Sequence, residues 1–315
     1  ENFKITNIDS VELDFEDLEK QKNYIELRKT SNSYEVKSKY FNANKLIDDL
    51  LINDNPNKLD IFNENINVNI KFDRVLIGDN EYINDLAGYL NLKNNEIVEA
   101  KLSSSFSSNE NFNLSIISNS GNKVTTFYSP KAKPFVKRYK FIKGFEEGSL
   151  DFYSVKSGGT TTSKLRIYDF KLKELPALTK ILTLASLQGI ADLLSGEGIR
   201  FNEFEMNFTN KDNLMTIEEI YAIGPAISIL MSGYVEEKKL VSLRGTLVPA
   251  TTINKSIGSI PLLGKILVGN KTGEGVFGVS FKIKGPPKKL ETTVNPIKTL
   301  TPRFITRTLE KIKIN

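Results

Sequence analysis

The sequence predicts a mainly β protein: a long curled antiparallel sheet forming a groove, with a hydrophobic helix near 176–195 and a short C-terminal helix. Three observations predict it. Short segments with apolar residues at every second position recur along the 315 residues, the period of a strand with one buried face. Turn signals such as Asn-Asn, Ser-Ser and Asn-Ser-Gly separate those segments. Few stretches change to helical spacing.

The elements follow in order. Residues 1–157 read as a β-meander part of the groove, and residues 158–315 as a C-terminal region continuous with it. Asn65–Phe72 alternates cleanly, with Ile66, Val68, Ile70 and Phe72 on one face and Asn65, Asn67, Asn69 and Lys71 on the other. Leu86–Leu92, Val98–Phe106, Phe112–Ile116 and Val124–Tyr128 continue the meander. One short helix interrupts it at Asn44–Leu51, where Leu46, Ile47, Leu50 and Leu51 share a face. A basic segment follows, in which Lys131, Lys133, Lys137, Arg138, Lys140 and Lys143 alternate with Phe135, Tyr139 and Phe141. Such a segment either grips an anionic surface or is a solvated helix or edge whose aromatics enter the core.

Gly148–Val155 and Lys164–Lys173 read as strands joined by the turn Ser157-Gly158-Gly159-Thr160. In the second, Leu165 and Ile167 are out of phase with Phe170 and Leu172, and a bulge near Tyr168-Asp169 would return all four to one side. A similar shift separates Ile199/Phe201 from Phe204/Met206/Phe208, and two such shifts imply a strongly bent sheet. Between them lies a helix predicted over Pro176–Leu194, opened by a proline in its first turn and ended by Gly196 and Gly198. Apolar residues wrap most of its circumference, so it needs cover from a curled sheet or from lipid. Lys180, Gln188 and Asp192 argue against a membrane span. Strands are then expected at Ile217–Ile223, Ala226–Val235, Leu240–Val248, Gly275–Ile283 and Leu290–Val294. Thr301-Pro302 opens the last helix, with Ile305, Leu309 and Ile312 on one face.

Composition bounds the chemistry. The chain has no Cys, His or Trp, which excludes a His-dependent triad, a cysteine nucleophile, disulfides and zinc sites built from those residues. The formal charge of +5 and pI near 9.0 favour anionic partners, although a bias toward Lys, Asn and Ile gives the same balance. The start at Glu1 reads as an excerpt or processed product whose targeting segment is missing. The acidic pairs Asp48/Asp49, Glu146/Glu147, Glu218/Glu219 and Glu236/Glu237 are adjacent residues, which point to opposite faces of a strand and diverge on a helix, so none forms a spaced catalytic pair. Gly273-Glu274-Gly275 is too short to cradle a phosphate. No enzyme, cofactor or metal site is expected, and no nucleic-acid partner.

Several segments then form a recognisable series: Leu165-Arg166-Ile167-Tyr168-Asp169-Phe170, Leu182–Gly189, Gly198-Ile199-Arg200-Phe201, Gly245-Thr246-Leu247-Val248-Pro249-Ala250, Ile260-Pro261-Leu262-Leu263-Gly264, Gly273-Glu274-Gly275-Val276-Phe277 and Val294-Asn295-Pro296. Over about half of the chain this resembles the C-terminal region of the AsmA-like protein family, of the YhdP type. The resemblance implies a bridge-like lipid transporter of the Gram-negative envelope, anchored to the inner membrane through a missing N-terminal segment and projecting into the periplasm. It implies phospholipid transport between inner and outer membrane in support of outer-membrane biogenesis, with no catalytic residues. On strand parity, the apolar inner face is assigned to Phe152, Leu165, Ile167, Val241, Leu243, Phe277, Val279, Phe281 and Ile283. Lys137, Arg138, Lys140, Arg303 and Arg307 are the candidates for anionic headgroup or membrane contact. The competing reading is a structural or interaction cap module that docks an envelope protein or a membrane without carrying lipid.

Overall fold

A computed structural model describes residues 9–31, 33–51, 65–93, 96–107, 110–138, 144–173, 175–185, 187–237, 239–249, 278–287 and 289–297. The protein is mainly β, and the seventeen strands among the described residues pair mostly antiparallel with their neighbours. The chain divides into two compact units, one of residues 1–140 and 149–158, the other of residues 141–148 and 159–315. Among the described residues no helix is long and apolar enough to cross a membrane. The expected C-terminal helix from Thr301 lies outside the described residues.

The first unit holds β1 (Ser10–Glu16), β2 (Lys22–Lys29), β3 (Tyr34–Ser38), β4 (Phe41–Asn42), β5 (Ile66–Leu76), β6 (Tyr82–Lys93), β7 (Glu96–Ser107), β8 (Glu110–Asn119), β9 (Asn122–Ser129) and most of β10 (Phe145–Ser157). Neighbours pair antiparallel except β3 and β4, which lie parallel to β5. The antiparallel meander expected here, with its one interrupting helix, thus also contains a parallel pairing that was not expected. Parallel neighbours cannot be joined by a tight turn, and α1 (Asn44–Leu51), the helix expected at those residues, lies in the connection between β4 and β5. A second helix, α2 (Lys133–Val136), occupies the basic segment. Its Phe135 stacks on Phe112 at 6.3 Å and meets Phe127 edge-on at 4.9 Å, and Pro134, Phe135 and Val136 are all buried. The aromatic Phe135 of that segment is thus a core residue.

The second unit holds the start of β10, then β11 (Thr160–Leu172), α3 (Pro176–Leu184), α4 (Gln188–Ser195), β12 (Ile199–Lys211), β13 (Leu214–Ile223), β14 (Ile227–Glu236), β15 (Leu240–Pro249), β16 (Gly278–Gly285) and β17 (Glu291–Ile297). From β11 to β17 each strand pairs antiparallel with the next. The two apolar phase shifts expected in β11 and β12 lie directly opposite each other. The ladder runs from Tyr168↔Glu203 to Phe170↔Phe201 and omits Asp169 and Asn202, and Asp169 has a left-handed φ of 51°. Both strands change phase at one rung, so Ile167 and Phe170 return to the same side. There Phe145, Phe170 and Phe201 stack at 5.3 Å spacings, with Phe204 edge-on to Phe170 at 6.5 Å; each such pair adds about 0.5–1.5 kcal/mol beyond area burial.

The helix predicted over Pro176–Leu194 is two helices. The amide of Leu187 reaches back to the carbonyl of Leu182 at 2.8 Å, and a new helix starts at Gln188. A single rod apolar around its circumference would leave one side bare. Broken, α4 packs against α3, and α3 also packs against β17. Leu178, Ile181, Leu182, Ala191 and Leu194 are all buried.

Candidate functional site

The strand registers assemble the apolar residues of the second unit into rows that run across the strands. One row reads Ile167, Phe204, Ala222, Ile229, Leu247, Val279, Pro296; the next reads Leu165, Met206, Ile220, Met231, Gly245, Phe281, Val294. A third continues through Phe208, Ile217, Gly233, Leu243 and Ile283. Beyond it Val241 pairs with Val235. Side chains alternate between faces with a period of two, so these rows form one apolar face.

Burial varies along that face. In the first row Ile167, Ala222, Leu247 and Val279 are buried, and this row lies nearest the strand ends that lead into α3. Leu165, Met206, Met231, Phe208, Leu243 and Val241 in the other rows are half-buried. Phe281, 4% exposed, sits opposite Gly245. A Cβ on Gly245 would meet the Phe281 ring at 2.6 Å, so glycine lets that ring lie over the neighbouring strand. Met206 and Met231 flank Ile220 in one row and supply adaptable, polarizable surface.

The first unit carries its own row. Val11, Leu27, Val36, Ile70, Gly88, Leu102, Leu114, Phe127 and Phe152 follow one another across nine strands. Apart from Gly88 every member is apolar, and each is half-buried.

The parity assignments can now be placed. Leu165, Ile167, Val241, Leu243, Val279, Phe281 and Ile283 share the apolar face of the second unit, and Phe152 ends the row of the first. Phe277 lies outside the described residues. So do Lys140, Arg303 and Arg307. Lys137 is exposed and forms an ion pair with Asp79 at 3.6 Å. Arg138 has a different setting. All five of its N–H donors are used: Nε to Pro134 O, one terminal nitrogen to Asn44 O and the Asp48 carboxylate, the other to Asn44 Oδ1 and Ile77 O. Its side chain is 8% exposed, and it ties α1, α2 and the end of β5 together.

Parity missed one feature. The ladder pairs Ile217 with Gly233 and Ile220 with Met231, so two residues of β13 oppose one of β14. The bulge places both Glu218 and Glu219 on the face opposite the apolar rows, which corrects the expectation that they point apart. Both line an open cleft of about 380 Å³ on that outer face, together with Ser232, Arg244, Lys282 and Thr293. The sequence signal was available: Ile217, Ile220 and Ala222 keep a common face only if one residue between the isoleucines is extra.

Comparison of the chain with protein families, with curated proteins and with solved structures returned no match.

Proposed function

We propose that this chain is a non-enzymatic lipid-transport element, whose apolar sheet face holds the acyl chains of phospholipids moving between the inner and outer membranes of an envelope. The observation that carries the reading is the continuity of the apolar rows from β11 to β17, with half-buried Leu165, Met206, Met231 and Leu243 left to meet a ligand. A contiguous apolar face that the chain leaves half-covered supports a binding role. Acyl burial at ~0.8 kcal/mol per CH₂ supplies affinity without demanding a fixed position, as transport requires. Headgroups would remain at the wet margin of the face.

The test is native mass spectrometry of the purified chain with organic extraction of bound lipid. Phe281 is too deeply packed to be a useful probe, because a charge there would unfold the strand. Leu243→Asp places a charge at a half-buried point of the same face, and Thr216→Asp places one on the exposed outer face. Phospholipid should co-purify with the parent chain and with Thr216→Asp, and should be lost from Leu243→Asp with its circular dichroism intact. A cooperatively folded parent chain free of lipid would replace this reading with that of a structural cap.

A further inference from the structure

We propose that the outer face of β13–β17 is a receptor for an organic phosphate that also carries an ammonium group, centred on Arg244 and Lys282. The site lies on the opposite side of the sheet from the apolar rows and rests on separate observations. Arg244 of β15 is directly opposite Lys282 of β16, with Ser232 and Thr293 at either side in the same rung. Like charges directly opposite one another destabilise a sheet. Two other like-charged rungs of this sheet have a bonded counter-charge: Arg200, opposite Lys171, is paired with Glu147, and Glu26, opposite Glu12, is paired with Arg28. Arg244 and Lys282 are both exposed, and among the described residues neither makes a hydrogen bond or an ion pair. The two cations thus share an open cleft with two carboxylates at its other end and make no direct bond to them.

The surroundings define the ligand. A guanidinium presents a planar fork to a tetrahedral oxyanion, and an ammonium adds a point charge. The hydroxyls of Ser232 and Thr293 are donors in the same rung, so phosphate finds cations at the centre and neutral donors at the sides. Across Ser232 stand Glu218 and Glu219, brought to one face by the bulge. Thr209 Oγ1 donates to Glu218 at 2.6 Å, which steadies that carboxylate. Two carboxylates at one end of an anion cleft repel a bare polyanion and accept a cation. The cleft therefore selects a zwitterionic phosphate ester over inorganic phosphate.

The experiment titrates the intact chain, by calorimetry and thermal shift, with inorganic phosphate, with O-phosphoethanolamine, and with vesicles of phosphatidylethanolamine and phosphatidylglycerol. O-phosphoethanolamine should bind at least ten-fold more tightly than inorganic phosphate. Lys282→Glu creates an ordinary ion pair with Arg244, so it should raise the ligand-free Tm by about 2 °C while abolishing binding. Paired Glu218→Gln and Glu219→Gln changes should bring the two soluble ligands to equal affinity. Vesicle binding that Lys282→Glu abolishes would assign the phosphate to a membrane headgroup; soluble binding without vesicle binding would assign it to a free ester. A parent chain that binds no phosphate compound at millimolar concentration overturns the proposal, as does a Lys282→Glu variant that binds as well as the parent.

Discussion

Arg138 shows how a single side chain acquires a role that its neighbours in sequence do not announce. It sits in a run of lysines, yet its five donors all end on protein acceptors. The planar fork is essential to that arrangement. Arg138→Lys should destabilise the protein by about 2 kcal/mol and Arg138→Leu by about 3 kcal/mol, since the three donors of lysine leave at least two of the five acceptors unmet and leucine leaves all five; urea titration would check both. Equal stability for all three proteins would mean that the tie contributes nothing. Asp169 makes the complementary case, where the backbone and not the side chain is decisive. Its φ of 51° is tolerated by aspartate and favoured by glycine. Asp169→Gly should be neutral or mildly stabilising, and Asp169→Val should cost about 1–3 kcal/mol, measured as a fall in the denaturation midpoint.

At the scale of elements, most strands were legible because one face is apolar and the other is not. The registers follow the same logic. A one-residue slip would turn a whole row outward, and the bulge at Glu218-Glu219 is the place where that constraint is most exposed. Deleting Glu218 removes the extra residue and leaves a regular ladder, in which Glu219 alone opposes Ser232 while Ile217 and Ile220 keep Gly233 and Met231 as partners. The expected result is a cooperative thermal transition that survives the deletion, and Glu218→Ala should melt within a degree or two of the parent; loss of cooperativity on deletion would mean that the bulge itself holds the strand. Three features escaped a reading by period alone. Strands β1, β2 and β3 were not assigned individually, although Val11, Leu13 and Phe15 alternate with acids in the first of them, because so short an amphipathic run is ambiguous without its partner. The parallel pairing of β3 with β5 depends on a connection rather than on any strand's own pattern. The break between α3 and α4 depends on what the helices cover, since Leu182 and Leu194 are both fully buried and one straight rod would not bury both. The two phase shifts in β11 and β12 were each visible, but only the ladder reveals that they are one kink.

At the scale of the whole molecule, seven of the nine residues assigned to the inner face by parity share one face of the second unit, because parity is a local property and sheets transmit it from strand to strand. The charged residues were the harder part. Whether an arginine is a surface contact or an internal tie depends on acceptors far away in sequence, such as Asn44 and Ile77 for Arg138. The cleft at Arg244 and Lys282 depends on which residues face each other across a ladder, and no single-strand pattern records that. The rows themselves have one more consequence. They run across the strands, so the six gaps between β11 and β17, each ~4.8 Å, make an apolar lane of about 29 Å. Its length is set by how many strands are present and not by how long any strand is. A sheet of this kind grows by whole hairpins, each lengthening the lane by roughly 10 Å while leaving every existing register untouched. Insertions of two strands should therefore be the tolerated unit of variation in such a chain, and insertions of one residue inside a strand the forbidden one.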